Sequence, residues 1–179
     1  MIDPAVGALL AGVFALLFAS AALHKLRDLT AFTDALRAYQ LLPEAAARLA
    51  WLVPLLELTV AASLLVTASR TGASAAGAAL LVVYAFAVGV NLRRGRRDLA
   101  CGCGGPDERR PIAAWMVWRN LALAVLLAAL VLPWSARAVE PADALTVGVG
   151  TAVAALLYMS LDRLLGRVVP RAAALRGLR

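Results

Sequence analysis

Five long apolar stretches dominate this sequence of 179 residues and limit the kinds of fold it can adopt. They cover residues 5–23, 49–68, 73–92, 112–132 and 142–161. Each approaches the roughly 20 residues that a helix needs to cross about 30 Å of hydrocarbon. One such stretch can be a buried core helix, but so many cannot, because 63% of the residues are apolar and only 16% are charged. The stretches predict an all-α, polytopic transmembrane helix bundle in a lipid bilayer.

The two ends of the chain need separate interpretation. The first stretch is not expected to be a signal peptide, because the four residues before it carry no basic side chain.

The fifth stretch is rich in small residues, which gain less on transfer to lipid than large ones do. After it, Arg163, Arg167 and Arg171 lie four residues apart and predict a basic amphipathic helix on anionic lipid. A solvated basic tail is an equally good interpretation of this segment.

The basic residues are distributed unevenly between the two sides that these spans define. Sixteen of the 18 Lys and Arg residues fall on one side, and only Arg70 and Arg137 fall on the other. The positive-inside rule places the N-terminus outside and the C-terminus in the cytoplasm, in the inner (plasma) membrane. The net charge of +7 does not indicate nucleic-acid binding, because no aromatic-bearing domain is present to stack on bases.

The only two cysteines, Cys101 and Cys103, stand two residues apart in a glycine-rich segment after the third stretch. Their Cα atoms can come within the roughly 4.4–6.8 Å of a disulfide, and nearby arginines favour the reactive thiolate. We predict a reversible dithiol/disulfide pair. Metal ligation is an alternative that needs further ligands, from His24 or a second protomer, because two thiolates do not complete a tetrahedral site. A glycine-rich turn with two inert cysteines is the other alternative.

Two charged residues, Glu57 and Arg119, lie inside predicted spans, where a charge must face a partner or a cavity. Each lies about 10–12 Å from the predicted cytoplasmic end of its helix, so we expect them to form an ion pair. Four further polar residues are predicted at the same end and complete a candidate pocket: His24, Lys25, Asn91 and Asn120.

Six short motifs follow one another in a characteristic order. They are Leu-His-Lys-Leu-Arg-Asp at 23–28, Tyr-Gln-Leu-Leu-Pro at 39–43, Glu57, Asn-Leu-Arg-Arg-Gly at 91–95, Cys-Gly-Cys-Gly at 101–104 and Arg-Asn at 119–120. This order resembles the MauE family, methylamine utilisation protein E, within the wider DoxX-like group. The resemblance covers about residues 10–133.

The resemblance implies a division of the chain into two parts. Residues 1–133 would form a four-helix membrane core, and residues 134–179 would add a transmembrane helix and the basic tail. It also implies a role in maturing methylamine dehydrogenase, whose small subunit has many disulfides, together with a thioredoxin-like partner. The DoxX-like relatives imply a membrane quinone as electron donor or acceptor.

The leading hypothesis is therefore a thiol redox protein in which Cys101 and Cys103 exchange electrons with a thioredoxin-like partner. The candidate pocket would tune the sulfur chemistry or hold a quinone headgroup. Whether the chain is itself a quinone-linked thiol oxidoreductase stays open, because a non-enzymatic assembly or export factor is the alternative. The family's presumed clients are periplasmic, whereas the charge distribution places the cysteine loop in the cytoplasm. Either electrons cross the bundle, or the loop is partly buried, or the orientation is inverted.

Overall fold

The computed structural model describes residues 3–99, 111–132 and 140–176, and every regular element within these ranges is a helix. The helices are α1 (Pro4–Arg27), α2 (Leu29–Ala38), α3 (Glu44–Ala47), α4 (Leu52–Leu65), α5 (Arg70–Arg93), α6 (Ala114–Ala128) and α7 (Pro141–Arg176), with a 3-10 turn at Ala129–Val131. Four described segments are long and apolar enough to cross a bilayer: Pro4–Arg27, Arg70–Arg93, Ala114–Val131 and Ala142–Leu164. The prediction of an all-α, polytopic membrane bundle is confirmed.

The second predicted span, residues 49–68, is shorter in the structure than expected. Its helix, α4, has 14 residues, which extend about 21 Å at 1.5 Å per residue. Pro54 has no N–H to donate to the carbonyl of Ala50, and the N–H of Val53 donates there instead, at 3.1 Å. Short hydrogen bonds of this 3-10 type connect α3 to α4. The expected regular span is therefore replaced by a 3-10 connection followed by the shorter α-helix α4.

The turn between α4 and α5 is fixed by side chains that bind the last carbonyls of α4. The hydroxyl of Ser69 donates to the carbonyl of Ser63 at 2.8 Å, and Nε of Arg70 donates to that of Leu64 at 3.2 Å. The C-terminal end of a helix carries partial negative charge, so the guanidinium stabilises it. Arg70 thus lies at the end of the bundle opposite to the last residues of α5.

The main core forms where four helices meet at a glycine. A Cβ atom on Gly77 of α5 would lie 2.7 Å from Leu127 of α6, 3.0 Å from Phe18 of α1 and 3.1 Å from Val60 of α4. No side chain fits at this point without displacing its neighbours. Small residues of this kind allow transmembrane helices to approach closely.

A second hydrophobic cluster lies at the other end of α5 and consists of Tyr39, Val88, Ile112 and Met116. It joins the connector after α2 to α5 and to the start of α6. Burial raises the pKa of Tyr39 to about 12, because the apolar surroundings disfavour the phenolate. The connector that follows α2 is therefore part of the packed structure.

The last helix, α7, packs along α1 through small residues on both helices. A Cβ atom on Gly12 would lie 2.8 Å from the hydroxyl oxygen of Thr151, and one on Gly150 would lie 2.6 Å from Leu9. The predicted tail belongs to the same helix, which continues to residue 176. Its side chains beyond residue 164 lie outside the described part, so the basic stripe stays a prediction.

Candidate functional site

A fully buried carboxylate, that of Glu57 on α4, lies in the polar half of the bundle. Nζ of Lys25 on α1 donates to both of its oxygens, at 2.7 and 2.9 Å. The hydroxyl of Tyr84 on α5 donates to Oε1 at 2.7 Å. Three hydrogen bonds from two neighbouring helices thus satisfy the carboxylate, and this triad connects α1, α4 and α5.

The ammonium group of Lys25 is enclosed by aromatic rings as well as by the carboxylate. Its Nζ lies 5.6 Å from the ring centroid of Phe32 on α2 and 5.5 Å from that of Tyr84. Cation–π attraction adds to the ion pair at such distances. Only 4% of Lys25 is exposed, so removing its partner would leave a buried charge, which typically costs about 3–5 kcal/mol.

The predicted ion pair between Glu57 and Arg119 is wrong. Glu57 binds Lys25 and Tyr84, while Arg119 binds a residue of α7. The prediction paired the two charges by their expected depth, but α4 packs against α1 and α5, whereas α6 packs mainly against α5. Depth in the membrane did not determine which helices are neighbours. Tyr84 was missed, although a tyrosine hydroxyl inside an apolar span needs a hydrogen-bond partner.

The second charged site connects α6 to α7. Nη1 of Arg119 donates to Oδ1 of Asp162 at 2.5 Å, and the two side chains are 18% and 28% exposed. The ring of Trp115 lies 5.2 Å from the guanidinium carbon. Nη2 of Arg119 also donates to Oδ1 of Asn120 at 3.5 Å. Asp162 was not predicted as a partner, because it follows directly after the fifth apolar stretch.

Two N–H donors beside this ion pair have no hydrogen-bond partner within the described structure. They are Nε of Arg119 and Nδ2 of Asn120. Asn120 is only 3% exposed, and an unpaired buried donor typically costs about 1–3 kcal/mol. The guanidinium and the amide of Asn120 are in contact through Nη2 and Oδ1, so an acceptor oxygen beside them would satisfy these donors.

A third polar cluster holds the segment that leaves α5. Nδ2 of Asn91, a fully buried residue, donates to the carbonyl of Ala87 at 3.1 Å. Nη1 of Arg96 donates to Oδ1 of Asn91 at 3.4 Å and to Oε1 of Gln40 at 3.0 Å. Arg94 donates to the carbonyl of Gln40 at 3.4 Å. These bonds attach the start of the loop after α5 to the connector after α2.

The segment that carries the predicted catalytic pair begins and ends at a backbone hydrogen bond. The N–H of Ile112 donates to the carbonyl of Leu99 at 3.0 Å, and both residues belong to or pack against the second hydrophobic cluster. Cys101 and Cys103 themselves lie outside the described residues. The two ends of the segment that contains them therefore lie together at the polar end of the bundle.

The remaining candidate, His24, is half-buried on α1, and its side chain makes no hydrogen bond or ion pair with any described residue. The described residues contain no group of three or more His, Cys, Asp or Glu side chains that would hold a metal ion. Metal ligation by the cysteine pair stays an open alternative, because that pair lies outside these ranges.

Comparison with known proteins decides the family. A family model described as Methylamine utilisation protein MauE matches residues 3–135, which is most of the chain. The chain belongs to the MauE family. The resemblance inferred from the short motifs is therefore confirmed, and it extends over α1 to α6 and the triad of Lys25, Glu57 and Tyr84.

Three relatives named methylamine utilization protein MauE show how far the similarity reaches. The protein of Paracoccus denitrificans is 40% identical over 157 residues, which cover 85% of this chain and 83% of that protein. The protein of Methylophilus methylotrophus is 39% identical over 170 residues, covering 92% and 88%. That of Paracoccus versutus is 38% identical over 179 residues, covering 98% and 96%, so MauE similarity includes α7. No solved structure matches the chain.

Proposed function

We propose that this MauE-family chain acts in methylamine utilisation as a membrane thiol–disulfide redox protein. Cys101 and Cys103 would exchange electrons with a thioredoxin-like partner. The observation that carries the proposal is the hydrogen bond between Ile112 and Leu99, which closes the base of the cysteine loop. Asn91 and Arg96 brace the chain just before it. Two held ends would keep the cysteine pair near the polar end of the bundle, where a partner could reach it.

The charges near this loop favour the chemistry. Four arginines precede the cysteines in the described segment: Arg93, Arg94, Arg96 and Arg97. Positive charge lowers the pKa of a thiol and increases the thiolate fraction. A thiolate of one protein attacks a disulfide sulfur of the other, and a mixed disulfide forms as one thiolate leaves. The second thiolate of the attacking protein then bonds to its own first sulfur and displaces the partner's sulfur as a thiolate, so one pair is oxidised, the other is reduced, and two electrons and two protons are exchanged in total.

Further features of the proposal come from the family resemblance and the charge distribution. The client would be the small subunit of methylamine dehydrogenase or another protein with disulfides. A membrane quinone would oxidise the dithiol to the disulfide and become the quinol, with transfer of two electrons and two protons. The bundle would lie in the plasma membrane with its N-terminus outside and the cysteine loop in the cytoplasm, as the positive-inside rule requires.

A thiol-trapping experiment tests the redox role. Cys101→Ser and Cys103→Ser variants are expressed in a strain that lacks its own MauE-family protein, and mixed disulfides are captured by rapid acid quenching. We expect one single variant to accumulate a reducible adduct with a partner, and both to lose methylamine-dependent growth. The double variant is the matched control and should form no adduct. Labelling with a membrane-impermeant maleimide in intact cells determines the side of the loop.

A non-enzymatic assembly or export factor is the second candidate function. The triad of Lys25, Glu57 and Tyr84 favours it, because the buried carboxylate is satisfied within the bundle and holds three helices together. In this case the double variant Cys101→Ser/Cys103→Ser would support full methylamine-dependent growth and no adduct would form. That result would exclude the redox proposal.

A further inference from the structure

Two unpaired donors lie on α6, beside the ion pair that joins this helix to α7. We propose that Nε of Arg119 and Nδ2 of Asn120 bind a carbonyl oxygen of a neutral, lipid-soluble molecule. Both nitrogen atoms are buried and have no partner within the described structure. Asn120 is 3% exposed, so bulk water does not solvate its amide. A carbonyl oxygen has two lone pairs and can accept from both donors at once.

The hydrogen bonds already made by Arg119 and Asn120 determine which of their atoms can still bind a ligand. Nη1 of Arg119 already donates to Asp162, and Nη2 donates to Oδ1 of Asn120. The amide oxygen of Asn120 is thus engaged, and only N–H donors are left over. An acceptor without donors of its own, such as a ketone, ester or quinone carbonyl, matches this set.

The carboxylate of Asp162 determines the preferred charge of the ligand. It lies 2.5 Å from Nη1 of Arg119 and compensates the guanidinium. An anionic ligand at Nε would lie close to this carboxylate in a medium of low dielectric constant, where like charges repel strongly. The site therefore selects a neutral acceptor, and Asp162 is its specificity-determining residue.

Exposed apolar side chains of α6 and α7 next to the site would let a lipid-soluble ligand approach from the bilayer. Both helices are candidate membrane spans. Trp118 on α6 is 72% exposed, and Leu161 on α7 is 55% exposed, so apolar surface flanks the polar atoms. Trp115 contacts the guanidinium with its ring, 5.2 Å from the guanidinium carbon. Apolar walls with a few converging polar groups are typical of small-molecule sites.

This inference deepens the proposed function, and its physiological meaning rests on that function, because a quinone is one member of the ligand class. Binding itself does not need the cysteines, so the two proposals fail separately. A Cys101→Ser/Cys103→Ser variant should bind the ligand as the unmodified protein does. If it binds but traps no partner, only the redox role is lost.

The test uses the full chain in lipid nanodiscs and decyl-1,4-benzoquinone as the probe. Quinones quench tryptophan fluorescence, and Trp115 lies at the site. We expect saturable quenching, from which a dissociation constant is obtained. This constant should rise about tenfold in Arg119→Lys, which keeps the charge, and in Asn120→Leu, which keeps the volume. Each change removes one hydrogen bond to the ligand. Ser74→Ala, a buried polar change on α5 at the opposite end of the bundle, is the control and should leave quenching unchanged.

A second arm tests the role of charge with dodecanoate as a competitor of the quinone. The unmodified protein should retain the quinone, whereas Asp162→Asn should bind dodecanoate at least about tenfold more tightly than the unmodified protein does. Asp162→Glu should restore the original preference, which separates the charge effect from a loss of α7 packing. Non-saturable quenching, as expected if water occupies the donors, would overturn the proposal. So would unchanged quenching in both α6 variants, or displacement of the quinone by dodecanoate in the unmodified protein.

Discussion

The buried triad allows a quantitative prediction, which concerns the substitution Glu57→Gln. The amide can still accept from Tyr84, but it leaves the ammonium of Lys25 without a counter-charge at 4% exposure. Breaking a buried ion pair from one side costs about 3–5 kcal/mol. Replacing Lys25 by Met in the same chain removes the stranded charge, and the remaining loss is about 1 kcal/mol for each neutral hydrogen bond. Two such bonds are lost with Lys25, so we expect the double variant Lys25→Met/Glu57→Gln to regain about 1–3 kcal/mol of the loss.

The free energy of unfolding in mixed micelles, measured by titration with sodium dodecyl sulfate and circular dichroism, checks this prediction. Glu44→Gln is the control, because Glu44 is exposed on α3 and its loss should change stability by less than about 0.5 kcal/mol. Adding Arg119→Gln to Glu57→Gln should give additive losses, since the two side chains do not touch. Equal losses in Glu57→Gln and Lys25→Met/Glu57→Gln would refute the reasoning.

Two further predictions use the same unfolding measurement. Gly77→Ala should destabilise the bundle by about 1–3 kcal/mol, because the new Cβ would lie 2.7 Å from a methyl group of Leu127, whereas Gly72→Ala, with no atom within 4 Å, should not destabilise it. An equal effect at both glycines would contradict the packing. The pKa of Tyr39 rises from 10.0 to about 12 on folding, so its neutral form stabilises the protein below pH 10 and this contribution is lost as the pH rises through 12. The stability difference between the unmodified protein and Tyr39→Phe should shrink over that pH range, and a constant or growing difference would contradict the burial of the hydroxyl.

The fold class followed from the sequence because spanning length and apolar content are properties of single segments. The ends of the second helix did not follow. Pro54 has no N–H to donate, and the turn before it forms 3-10 hydrogen bonds instead. Helix α4 therefore begins three residues later than its apolar stretch suggested. The turn at its other end depends on Ser69 and Arg70, which bind carbonyls six residues earlier. Hydropathy contains no information on either effect.

The candidate site shows a similar division between what was predicted and what was not. Glu57 and Arg119 were recognised because a charge inside an apolar stretch is costly wherever its helix packs. Their partners depend on the arrangement of helices, which one sequence without homologues does not specify. Lys25 was placed in the candidate pocket but was not paired with Glu57, and Asp162 was not considered. Pairing by depth alone therefore connected the wrong charges.

The two charged sites of this bundle differ in how completely their polar atoms are hydrogen-bonded. The atoms around Glu57 are bonded within the protein, whereas two donors around Arg119 are not. Around Glu57, each carboxylate oxygen has a donor, and the ammonium of Lys25 is enclosed by Phe32 and Tyr84. A ligand would add no hydrogen bond that this carboxylate lacks, and the triad connects α1, α4 and α5. Around Arg119, the ion pair with Asp162 leaves two donors unpaired within the described structure. Since unpaired buried donors cost free energy in the unliganded protein, the proposed carbonyl ligand would recover that cost.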